Sequence, residues 1–126
     1  MKLILAIAAG GALGAVGRYW VMARVGHWLG MGFPFGTLAV NIIGSFILGA
    51  LVEVMTHVWS PSQEMRAFLV VGVLGGFTTF STFSLDVVTL YDRGEIAVAA
   101  GYVIASVILS VSAFFLAMTI FRHALT

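Results

Sequence analysis

The sequence predicts an all-α integral membrane protein with four transmembrane helices, the third broken near its middle. Three observations predict it. Of the 126 residues, 61% are hydrophobic and 9% are charged, against about 25% charged in ordinary globular domains. The apolar residues gather into four runs, 3–22, 36–58, 67–90 and 96–121, and each reaches the roughly 20 residues that cross a bilayer core. The third run contains Gly75-Gly76-Phe77-Thr78-Thr79-Phe80-Ser81-Thr82-Phe83-Ser84. Adjacent glycines weaken a helix, and hydroxyls can bond the backbone groups a break sets free. The connections are too short to hold a soluble domain, so residues 1–126 read as one membrane domain.

Composition also excludes. There is no cysteine, hence no disulfide and no thiolate metal site. His27, His57 and His123 fall near helix ends without metal-ligand spacing and read as solvated residues. A net charge of +1 gives no sign of a nucleic-acid partner. No nucleotide motif and no nucleophile–base constellation appears, so an enzyme is not expected. Lys2 ahead of an apolar run raises a signal peptide, but the run to Met22 is interrupted only by Arg18. That exceeds a signal core of about 7–15 residues, and the segment is expected to stay as the first helix.

The first helix carries Gly10, Gly11, Gly14 and Gly17, of which Gly10 and Gly14 form a small-xxx-small packing pair. Arg18 would cost about 2.5–3.5 kcal/mol at a helix centre; near the end of a helix closing at Met22 it is expected to snorkel to the interface, or to line a cationic vestibule that concentrates anions. In the second helix Asn41 lies below the headgroups, followed by Gly44 and Ser45. A membrane Asn serves as interhelical glue or as a ligand contact, and its amide can offer two donors to an anion. Glu53 and His57 lie toward the far end and read as surface residues.

The third helix is expected to split at Gly75-Gly76, with freed carbonyls available to a small cation. Phe80 and Phe83 would share a face after the break, with Phe77 extending the row. Ser81, Thr82 and Ser84 interleave with these rings. Aromatic edges are electropositive and can help hold a partly dehydrated anion. Asp86 could sit at a mouth or pair with Arg93 or Arg18. In the fourth helix Tyr102, Ser106 and Ser110 recur every four residues and predict a polar face.

Loop charges give no preferred orientation. Lys2, Arg66 and Arg122 lie on the side of the termini, whereas Arg24, Arg93 and Arg18 lie on or near the other. Orientation follows Lys/Arg asymmetry in short loops, so a three-against-three balance leaves both insertions open. Four helices enclose a pore poorly on their own. Two identical copies in opposite orientations form a closed symmetric assembly, which predicts an antiparallel homodimer.

One amide, a set of hydroxyls and several aromatic edges suit a small hydrated anion better than a cation, which favours acidic rings or exposed carbonyls. Residue chemistry alone does not separate fluoride from chloride. Gly17-Arg18, Gly36-Thr37-Leu38 with Asn41, and the Gly75–Ser84 motif are similar to the Fluc, or CrcB, family of fluoride channels, and the resemblance covers essentially the whole chain. It implies an antiparallel, dual-topology homodimer in the bacterial plasma membrane (the inner membrane of a two-membrane cell) that exports fluoride passively and confers fluoride resistance. It further implies a fluoride pathway of Asn41, Phe80, Phe83, Ser81, Thr82, Tyr102 and Ser110, with Arg18 in the aqueous vestibule. A structural sodium ion (Na+) at the dimer centre would be held by the backbone carbonyls of Gly75 and Thr78 from both copies.

Two positions depart from the family pattern. Asp86 stands where glutamate is usual, and Phe114 stands where a threonine often continues the polar track, which would shorten the track or reroute it through Ser106. The competing reading is a small multidrug-type, proton-coupled exporter. It needs an acidic residue in the first helix, and none is there. A scaffold subunit is a third reading, one that leaves the polar positions without a purpose.

Overall fold

The computed structural model describes all 126 residues. Four helical spans are long and apolar enough to cross a membrane: Lys2–Leu29, Phe35–His57, Gln63–Asp92 and Ile96–Leu125. The chain is a multi-pass membrane protein.

The first helix is longer than its apolar run. Nothing between Met22 and Gly30 breaks a helix, so the polar residues Arg24 and His27 prolong it until Gly30 ends it at φ 85°. Its 28 residues cover about 42 Å, more than the roughly 30 Å of a hydrocarbon core. Arg18 is therefore near the middle of the helix and not near its end. The second helix follows Pro34, and the fourth follows a turn at Gly94, φ 81°.

The third span is bent, but not at its glycines. A continuous helix begins at Gln63, capped by the Ser62 hydroxyl, which accepts from the Met65 N–H at 3.1 Å. It widens over Ala67–Leu74 into a π-helix, in which the Gly75 N–H reaches back to the Val70 carbonyl, and it narrows again over Gly75–Phe77. Gly75 is itself helical, at φ −63° and ψ −37°. The chain leaves the helix at Thr78, φ −84° and ψ 158°, and resumes over Ser81–Asp92. Two consecutive β-branched threonines favour the extended step. The Thr78 N–H and hydroxyl both turn back to the Leu74 carbonyl, each at 3.0 Å, which closes the first half.

The glycines instead allow contact between helices. Side chains on Gly10 and Gly14 would strike the backbone carbonyls of Phe68 and Val73, and one on Gly76 would stand 2.8 Å from the Gly11 carbonyl. The first helix and the first half of the third thus meet backbone to backbone. The second and fourth helices form the other close pair, with Gly49 against the Phe114 carbonyl and Ala117.

At the end of that second pair Glu53 is buried, not surface-placed. Its Oε1 accepts from Arg122 Nη2 at 2.6 Å and Nε at 3.2 Å, and its Oε2 lies 2.9 Å from His57 Nε2. The Arg122 side chain from the fourth helix covers the carboxylate, a partner that the second helix alone does not reveal. Only 15 of 126 residues are buried, so a single copy has a thin core and large apolar faces.

Candidate ion pathway at the helix break

An uninterrupted helix would pair the carbonyls of Gly75, Gly76, Phe77, Thr78 and Thr79 with the N–H groups four residues on. None of these bonds forms. Side chains from neighbouring helices replace part of them. Asn41 Nδ2 donates to the Thr79 carbonyl at 3.1 Å, and the Thr79 N–H donates to Asn41 Oδ1 at 2.9 Å. Arg18 Nε donates to the Gly76 carbonyl at 3.0 Å. The Thr79 hydroxyl accepts from the Thr82 N–H at 3.1 Å, satisfying a first-turn donor of the resumed helix. The Gly75 and Thr78 carbonyls accept no hydrogen bond.

Beside the break lies a groove of about 380 Å³, lined by residues of the second, third and fourth spans. Asn41, Phe80, Phe83, Ser110, Gly75 and Thr78 all border it. Ser45, Thr79, Ser106 and Phe114 complete its functional part. The hydroxyls of Ser106 and Ser110 are buried and have no hydrogen-bond partner. Buried hydroxyls are normally paired, so two orphans in one groove mark a place for a hydrogen-bond acceptor or for water. Asn41 keeps one amide N–H beyond the one given to Thr79.

The rings of Phe80 and Phe83 stand 5.4 Å apart at 45°. Phe80 is 78% exposed. Phe77 does not extend this row. The extended step at Thr78 turns it away, against Gly17 and Gly44, into a separate apolar groove between the first, second and third spans. Ser81 is exposed and lies 3.5 Å from the Thr79 hydroxyl, outside the groove lining. Thr82 also lies outside that lining and engages the break through its N–H.

Tyr102 does not share the serine face. Each four-residue step turns about 400°, so Tyr102 and Ser110 diverge by about 80° around the helix. The ring is fully buried behind Phe83, 5.2 Å away. Its hydroxyl donates to Asp86 Oδ2 at 3.0 Å, and Thr37 donates to the same oxygen at 2.7 Å. Asp86 therefore pairs with neither arginine considered from sequence. Arg93 contacts Glu95 at 3.2 Å and the Gly32 carbonyl at 3.0 Å. The Thr37–Asp86–Tyr102 cluster fixes the floor beneath Phe83 and ties three spans together.

Sequence reasoning passed over Ser45 and Thr79. A signal existed for Ser45, which follows Asn41 by one turn on the same face. Thr79 gave none, because its N–H and carbonyl matter more than its side-chain type. The groove as a whole offers hydroxyl and amide donors, an aromatic wall and no exposed carboxylate. It can hold a small acceptor anion and has no group for bond-making chemistry.

A family profile described as "CrcB-like protein, Camphor Resistance (CrcB)" matches residues 5–118. A fluoride-specific ion channel FluC of Rhodospirillum centenum is 56% identical over 124 residues, covering 98% of each chain. The fluoride-specific ion channel FluC of Nitrobacter winogradskyi is 54% identical over 119 residues, 94% of each chain. That of Agrobacterium fabrum is 50% identical over 120 residues, 95% of this chain and 96% of the other.

Proposed function

The chain belongs to the CrcB family, and from that premise we propose that it is a fluoride-selective ion channel, not an enzyme, whose pathway is the groove beside the break in the third span. The observation that carries the assignment to this groove is the pair of buried, unpartnered hydroxyls of Ser106 and Ser110, residues that line it together with Asn41. Fluoride is small and strongly hydrated. Fixed hydroxyl and amide donors replace its water without the lasting grip of a full positive charge, which permits both entry and exit. The Phe80 and Phe83 edges add a weak positive potential and close the wall to bulk water. Ser81 and Thr82 belong to the approach to this wall, and Tyr102 supports it from behind. Arg18 draws anions toward the approach. Flow is passive and runs down the fluoride gradient, so a cell that accumulates fluoride exports it.

The working unit is an antiparallel homodimer. Exposed Phe80 and Gly75 beside an open polar groove support a second copy as the missing wall. The balanced loop charges support opposite insertion. The free carbonyls of Gly75 and Thr78 fit a sodium ion shared between copies, since oxygen ligands without hydrogen-bond partners suit a hard cation. Bound there, sodium would supply positive charge at the centre and join the two breaks. The multidrug-type alternative lacks its acidic residue in the first helix as well as in the groove.

Reconstitution into liposomes tests the reading. A fluoride electrode should record rapid efflux, with chloride retained, and Phe80→Ile should abolish the efflux. Chloride efflux at a similar rate, or proton-coupled movement of organic cations, would refute it.

A further inference from the structure

Five carbonyls of the break, Gly75 to Thr79, lack their helical partner; two are bound by side chains and three are free. Thr79 is bound by Asn41 from the second helix, and Gly76 is bound by Arg18 from the first. The free carbonyls are those of Gly75, Phe77 and Thr78, of which Gly75 and Thr78 border the groove. The geometry explains how an arginine reaches a carbonyl there. Gly11, Gly14 and Arg18 share one helical face. The missing side chain of Gly76 lets its backbone approach that of Gly11, and the missing side chain of Gly14 lets Val73 and Phe77 approach. Side chains on a helix tilt toward its N-terminus, so the half-buried Arg18 folds back beside this close approach at Gly14 and Gly76 and meets the Gly76 carbonyl.

We infer that Arg18 is a positioning residue for the third span: by holding the Gly76 carbonyl, it sets the rotation of residues 75–78 that leaves the Gly75 and Thr78 carbonyls free for a cation. This role differs from attracting anions, although it rests on the cation reading above. Arginine is suited to it because a guanidinium keeps its charge and directs its N–H groups in a fixed plane. A lysine retains the charge but not the directed Nε–H. Without the brace, the Gly76 carbonyl sits in a low-dielectric span with no donor, and the segment relaxes by turning toward another one.

The chain contains two Gly-Phe pairs, Gly32-Phe33 and Gly76-Phe77. Protein labelled with 13C at glycine carbonyls and 15N at phenylalanine therefore gives two correlation signals in lipid micelles. Gly32 is an internal control, since its carbonyl accepts from Arg93 and not from Arg18. In Arg18→Gln and Arg18→Lys the Gly76 carbonyl signal should move while that of Gly32 stays; Arg93→Gln should do the reverse. Gly32→Ala, at an open position, assigns the peaks. The sodium concentration that half-restores the melting midpoint should rise by about tenfold in Arg18→Gln, the effect of one charged hydrogen bond. An unmoved Gly76 signal, or a sodium dependence identical to that of the natural chain, overturns the inference. A natural chain whose melting ignores sodium counts instead against the cation reading, and the carbonyl signal then decides the contact of Arg18.

Discussion

Asn41 gives both ends of its amide to one residue, Thr79. Glue and ligand contact, alternatives in the sequence, are compatible in the structure, because one amide N–H remains for the groove. Asn41→Ala should destabilise the protein by about 1–3 kcal/mol for each backbone group left unpaired, measured by reversible unfolding in micelles, and should reduce fluoride flux. Asn41→Asp keeps the acceptor for the Thr79 N–H and strands the Thr79 carbonyl, so it should lose flux more completely than stability. The placement of Asn41, Phe80, Phe83 and Ser110 around one groove was legible because Asn41 and Ser110 are polar in apolar helices and the two rings flank the hydroxyl-rich break. The partners of Arg18 and Asp86 were not. Each is reached from another span, Gly76 by Arg18 and Thr37 and Tyr102 by Asp86, and a one-dimensional pattern does not encode those approaches.

The elements owe their arrangement to where a Cβ is missing. Gly14 meets the Val73 carbonyl and Gly11 faces open space in the same sense. Gly14→Ala should therefore pry the first helix from the third and abolish the monodisperse folded peak on size-exclusion chromatography. Gly11→Ala should be neutral or stabilise by a few tenths to about 1 kcal/mol through reduced freedom of the unfolded chain. Four apolar runs gave the four spans directly, since length and hydropathy set both. The break was legible in kind and displaced in position. Gly75-Gly76 announced weakness, but close packing against the first helix uses those glycines as helix, and the extended step falls on the threonines that follow. The ends of the first helix were missed for a related reason. Apolar composition stops at the membrane, whereas a helix stops at a breaker, here Gly30.

At the scale of the whole molecule, two close helix pairs leave the groove open along one side, with Phe80 and Gly75 exposed beside it. In the proposed antiparallel dimer a second copy would close it and bring two breaks together. The chain has no natural cysteine, so Asp92→Cys at the exposed end of the third span provides a clean probe of insertion. An impermeant maleimide should label it from both faces of the membrane in comparable amounts; labelling from one face alone would contradict dual insertion. The most direct measurement of the pathway separates flux from stability. Ser106→Ala with Ser110→Ala removes two buried hydroxyls that bond nothing in the protein, so the double variant should melt no lower than the natural chain. In liposomes of equal dimer content its fluoride efflux should fall by about tenfold or more, the loss expected when donors to a dehydrated ion are removed. Efflux equal to that of the natural chain would place the fluoride pathway elsewhere.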